Sequence, residues 1–122
     1  YITNAVKHFK YEPRGKRRIH AKPNGGEIQA CKFWLEREIA LVKPSLIVAL
    51  GATAAQSLAG RPVGIMKERG KPTAFGEHRG LITVHPSFLL RLPDAEAAQR
   101  EFGRFVADLK HARRLLERAK AA

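Results

Sequence analysis

Leu46-Ile47-Val48-Ala49-Leu50-Gly51 is an unbroken apolar run closed by a glycine. A strand with one wet face alternates apolar and polar residues, whereas a strand covered on both faces can be apolar throughout. The run therefore reads as a parallel strand inside a sheet with helices on both sides. Gly51 turns the chain into a short helix over Ala52–Ala59, which Gly60 closes. Working outward, Glu27–Val42 reads as an amphipathic helix. Ile28, Cys31, Leu35, Ile39 and Val42 recur on one face, and Pro44 stops it. Leu81-Ile82-Thr83-Val84 is a second buried strand, ended abruptly by His85-Pro86. Residues 61–80 are rich in glycine and basic residues and leave a short strand or a hairpin open. A long helix starts near Asp94, an N-cap after Pro93, with Phe102, Phe105, Val106, Leu109 and Leu116 as its core face.

At the other end, Tyr1–Val6 has the β-branched and aromatic content of a strand. Residues 8–26 read as a long polar loop, because Pro13, Gly15, Pro23, Gly25 and Gly26 forbid a continuous helix. Strands alternating with helices give an α/β class with a mostly parallel sheet. In such sheets ligands bind beyond the carboxyl ends of the strands. Asn4, Gly51 and His85 are the unusual groups expected there.

The chain has 122 residues, enough for one hydrophobic core. It opens directly on core-like residues. The expectation is that 1–122 forms the C-terminal part of a single larger domain, with N-terminal sequence preceding it. The formal net charge is +12. Residues 1–25 supply half of that, with Lys7, Lys10, Arg14, Lys16, Arg17, Arg18 and Lys22 set against Glu12. Charges concentrated in a glycine- and proline-containing loop favour a polyanion, and nucleic acid is the commonest one. The basic C-terminal stretch, Lys110–Lys120, reads instead as a solvated face.

A single cysteine, Cys31, excludes an internal disulfide. No apolar run approaches a membrane span, and no signal peptide is visible. The expected setting is a monomer in a reducing cytoplasm, away from membranes. Neither a Walker-type loop nor a Gly-x-Gly-x-x-Gly fingerprint is present, so nucleotide cofactors have no support.

Several groups carry possible chemistry, and each also has an ordinary reading. The Asn4 amide can match an acceptor and a donor on a base edge, or simply end a strand. His85, in His85-Pro86-Ser87, can donate to an oxygen on which charge develops, or sit in a surface turn. One of Phe88, Leu89 and Leu90 can wedge into a base stack, or be buried under the last helix. Arg91 can meet a phosphate or be a plain surface cation. Lys16-Arg17-Arg18-Ile19-His20 can grip phosphates and present a nucleophilic imidazole, or be a solvated basic loop. Cys31 is by default a small core residue, since one cysteine cannot hold an iron–sulfur cluster.

Taken in order, these pieces resemble the family-4 uracil-DNA glycosylases, and within them the UdgX branch. The matching stretches are Tyr1-Ile2-Thr3-Asn4-Ala5-Val6-Lys7-His8-Phe9, Lys16-Arg17-Arg18-Ile19-His20 and Ala30-Cys31-Lys32-Phe33-Trp34-Leu35. Leu50-Gly51-Ala52-Thr53-Ala54-Ala55 and Val84-His85-Pro86-Ser87-Phe88-Leu89-Leu90-Arg91 complete the set. The basic loop ending in histidine marks the UdgX branch, and the His-Pro-Ser motif is shared more widely.

The resemblance implies a three-layer α/β/α sandwich and a uracil-DNA glycosylase acting on uracil-containing DNA. It implies uracil recognition by Asn4, leaving-group stabilisation by His85, and a covalent bond from His20 to the abasic sugar. Lys16, Arg17, Arg18, Ser87 and Arg91 form the DNA-contacting set. A four-iron–four-sulfur cluster is implied in the full-length protein, with Cys31 at a family cysteine position and His8 where ordinary members carry another. The family's Gly-Glu-x-Pro-Gly motif and N-terminal cysteine pair are not in this chain, which leaves an incomplete ligand set and an inactive fragment. The alternatives are an ordinary turning-over family-4 enzyme, a non-catalytic basic DNA-binding module and, last, a nucleotide-binding domain.

Overall fold

A computed structural model describes residues 1–5, 11–14, 17–20 and 25–121. The chain divides into two compact units, 1–43 and 44–122.

In the first unit, residues 1–5 form no strand. Tyr1 and Ile2 are exposed, and the Tyr1 hydroxyl donates to Glu38 at 2.6 Å. A strand requires a neighbour to take its N–H and C=O groups, and β-like composition does not supply one. Part of the expected long loop is instead a hairpin. Strand β1, Tyr11–Arg14, pairs antiparallel with β2, Arg17–His20, in the register Tyr11↔His20 to Arg14↔Arg17. Pro13 is tolerated because a two-stranded ribbon consists only of edges.

Helix α1 runs Gly25–Val42, two residues longer at its start than its apolar pattern suggests. Cys31 and Leu35, one turn apart, are buried, Ile39 is half-buried, and Val42 is exposed. Lys43 then takes φ 52° and Pro44 ends the helix.

The second unit is built on the apolar run. Strand β3 is Ile47–Leu50 and helix α2 is Ala52–Ala59, capped by Gly60 in the left-handed conformation. A single turn, α3, spans Ile65–Glu68. Strands β4, Pro72–Phe75, and β5, His78–Thr83, form a hairpin, so the ambiguous region holds both a helical turn and a hairpin. Helix α4 is Pro86–Leu90 and α5 is Ala95–Ala121. The sheet order is β3-β5-β4, with β3 parallel and β4 antiparallel to β5. The described sheet is therefore small and mixed, within an α/β fold. No described helix is long and apolar enough to cross a membrane.

Neighbouring residues of β5 face different partners. Ile82 joins a core of Ala49, Ala55 and Phe75, with Ile47, Leu58 and Val63 packed against it. Thr83 instead donates its hydroxyl to Asp108 of α5 at 2.6 Å. Asp108 also accepts from Arg69 Nε at 3.0 Å, and Arg69 Nη1 donates to Glu101 at 2.8 Å. The Arg69 side chain is 3% exposed. A buried guanidinium forces carboxylates onto the helix that covers it.

This explains why the expected α5 face is only partly right. Phe102 and Leu109 are exposed, Phe105, Val106 and Leu116 are half-buried, and the helix turns Glu101, Asp108 and Ala112 inward. Apolar periodicity does not register a polar anchor. The expected N-cap does form, since Asp94 accepts from the backbone N–H of Glu96 at 3.1 Å.

Two outcomes follow from the anchor. Asp108→Ala leaves Arg69 with Glu101 as its one carboxylate partner among the described residues and is expected to cost about 3 kcal/mol, measured by urea unfolding. Burial by itself raises the Glu101 carboxyl, but hydrogen bonds from Arg69 and Arg104 outweigh it and hold its pKa below the ordinary value. Its contribution is then complete above roughly pH 4.5 and is lost as pH falls through the lowered folded value. Glu101→Gln should show a shallower fall in Tm on acidification than wild type.

Candidate functional site

The parallel strands β3 and β5 end side by side, with Leu50 opposite Thr83. The Gly51 N–H donates to the Thr83 carbonyl at 2.9 Å, so the ladder continues one residue past the strand. Gly51 has φ 92° and ψ 171°, a conformation essentially restricted to glycine. A Cβ there would also lie 3.0 Å from the Cβ of His85. Gly51 therefore lets the β3–α2 turn and His85 approach closely.

His85 leaves β5 in an extended conformation and serves as N-cap of α4, with Pro86 at the first helical position. Its Nδ1 accepts the backbone N–H of Ser87 at 3.0 Å, and the Ser87 hydroxyl lies 2.9 Å from the same nitrogen. A nitrogen that accepts from an amide carries no proton. The neutral ring with this cap therefore bears its hydrogen on Nε2. His85 is exposed, so the group offered beyond the strand end is an N–H donor. It suits an oxygen acquiring negative charge.

Helix α4 sorts the three wedge candidates. Phe88 and Leu89 are half-buried, while Leu90 is 87% exposed. Arg91, also exposed, is the C-cap of α4. Ser87, Leu90 and Arg91 thus belong to the same short element as His85.

In the first unit, Asn4 is exposed and follows no strand among the described residues. Arg17, Arg18 and His20 lie on β2, and His20 is its last residue, opposite Tyr11. Lys16 and His8 fall outside the described residues. Cys31 is a buried free thiol on α1. Among the described residues no three His, Cys, Asp or Glu side chains converge to hold a metal. One cysteine does not fit an iron–sulfur cluster by itself.

Residue patterns did not reveal the polar anchor behind β5. Its only trace in the sequence is Glu101 and Asp108, two turns apart on one face of a helix otherwise rich in arginine.

The family model described as the Uracil DNA glycosylase superfamily matches residues 1–110. A protein of Thermotoga maritima named "Type-4 uracil-DNA glycosylase" is 40% identical over 93 residues, 75% of this chain and 45% of that protein. The chain thus spans less than half the length of this curated relative.

The cap geometry has a direct readout. Long-range 1H–15N spectra of histidine-labelled protein at neutral pH should place the His85 proton on Nε2, and an Nδ1–H pattern would contradict it.

Proposed function

The chain belongs to the uracil-DNA glycosylase superfamily, and from that premise we propose that its protein excises uracil from DNA and stays covalently attached to the abasic sugar. The observation that carries the excision step is the His85 ring, capped on Nδ1 by Ser87 and presenting Nε2–H. The target nucleotide leaves the stack. Leu90, the exposed apolar residue of α4, fills the gap, and Arg91 meets a phosphate. Asn4 reads the base edge, its amide matching one acceptor and one donor of uracil. As the C1′–N1 bond lengthens, its electron pair goes to the base, and His85 donates a hydrogen bond to O2. The sugar becomes an oxocarbenium-like electrophile.

Capture by histidine is the finer part of the proposal and places the chain in the UdgX branch. Lys16, Arg17 and Arg18 hold the phosphates, and the imidazole of His20 attacks C1′ through an unprotonated nitrogen. The new C–N bond is stable, so one protein acts once. The position of His20 at the end of a basic strand supports this reading. The relative's printed name is equally compatible with an ordinary enzyme in which water captures the sugar.

We further propose that 1–122 is the C-terminal part of one three-layer α/β/α domain acting as a cytoplasmic monomer. The share of the relative's length that is matched supports a longer protein, and the distinct partners of Ile82 and Thr83 support the layering. A four-iron–four-sulfur cluster with Cys31, and His8, among its ligands is proposed for that longer protein alone.

In the full-length protein, His20→Ser should abolish the DNA adduct that survives hot detergent, while uracil release persists. Mass spectrometry should place the wild-type adduct on the peptide containing His20. A His20→Ser variant that still crosslinks would remove His20 from the mechanism. Equal binding of uracil-containing and uracil-free DNA, with no release, would indicate a non-catalytic module.

A further inference from the structure

The end of β5 is held from three directions within two residues. The Gly70 N–H donates to the Ile82 carbonyl at 2.8 Å. The Gly51 N–H donates to the Thr83 carbonyl at 2.9 Å. The Thr83 hydroxyl donates to Asp108 Oδ2 at 2.6 Å, the same oxygen that accepts from Arg69 Nε. Gly70 is itself tied to α5, since His111 Nδ1 lies 2.7 Å from its carbonyl oxygen. His85 follows two residues after Thr83. The backbone bonds recur wherever strands and turns meet. The hydroxyl bond is different, because it reaches from the strand end to a charge fixed by a second charge.

We propose that Thr83 and Asp108, locked by Arg69, are positioning residues for the His85 donor. They set where its Nε2–H stands relative to the departing base. Thr83 is fully buried, so it has no route to DNA or base, and it acts only through the backbone that leads to His85. Valine at this position keeps two of the three β substituents and would pack in the same space. What valine lacks is the hydroxyl that ties this point of the strand to Asp108. A displacement of about 1 Å at a reacting group costs on the order of a hundredfold in rate. A single lost tether that shifts His85 by a fraction of that should cost about tenfold.

The inference rests on the glycosylase reading for its kinetic arm, but not for its structural arm. Both arms use the full-length protein with Thr83→Val and Thr83→Ser, alongside His85→Ala. Single-turnover uracil release should fall about tenfold in Thr83→Val, with the Kd for uracil-containing DNA within twofold of wild type. Thr83→Ser should restore the rate to within about twofold. A merely structural role would lower the folded, DNA-binding fraction and leave the rate of the bound protein unchanged. In histidine-labelled protein, the His85 Nε2 resonance should shift or broaden in Thr83→Val and return in Thr83→Ser. Release at the wild-type rate in Thr83→Val, or no rescue by serine, overturns the proposal. An unmoved His85 signal overturns it whatever the activity. If wild-type protein releases no uracil yet the signal moves and serine restores it, the positioning stands and the glycosylase reading fails.

Discussion

Arg69 is a guanidinium taken almost wholly out of water between a sheet and the helix that covers it. Ionic groups are buried at a cost, and the fold answers with Asp108 and Glu101 from α5, with Arg104 on the outer side of Glu101. That arrangement does more than offset a charge. A hydrophobic face tolerates sliding by a fraction of a turn, whereas two carboxylates seven residues apart must both reach one planar group. The long C-terminal helix is thereby given a single register against β5. The Thr83 hydroxyl draws the strand into the same network.

The candidate site stands directly downstream of that network. Parallel strands end together, and a glycine at the first turn leaves room for the residue at the second. His85 occupies that room, and the first turn of α4 binds its inner nitrogen. The outer nitrogen is left with the proton. One short helix thus fixes the tautomer of the ring, exposes Leu90, and carries Arg91. His85, Leu90 and Arg91 thus share one element of a few residues, with His85 as its N-cap and Arg91 as its C-cap.

Charge is distributed by a different logic in the two halves of the chain. Several acidic groups in the second unit are committed to named partners, as with Glu68 and Arg61, Glu101 with Arg69 and Arg104, and Asp108 with Arg69. The hydrogen bond from Arg61 lowers the Glu68 carboxyl below its ordinary value. In residues 1–25 the seven cations face a single acidic residue in sequence. Internal pairing there cannot cancel the field, which suits a partner that brings its own negative charge.

Sequence by itself determined the elements whose cause is local. The apolar run at 46–50, the glycines that close its turn and helix, the Asp94 cap and the His-Pro-Ser turn each follow from one or two residues. It also ordered the motifs well enough to reveal the family. Only the tertiary structure decided what depends on a partner. Residues 1–5 have strand composition but form no strand, while a segment that read as loop became a hairpin because its two halves pair with each other. Phe102 and Leu109 fit a core pattern yet lie outside, because a buried arginine far away in sequence claims the inner face for carboxylates. The protonated nitrogen of His85 was equally hidden, since it follows from a hydrogen bond only the folded turn creates.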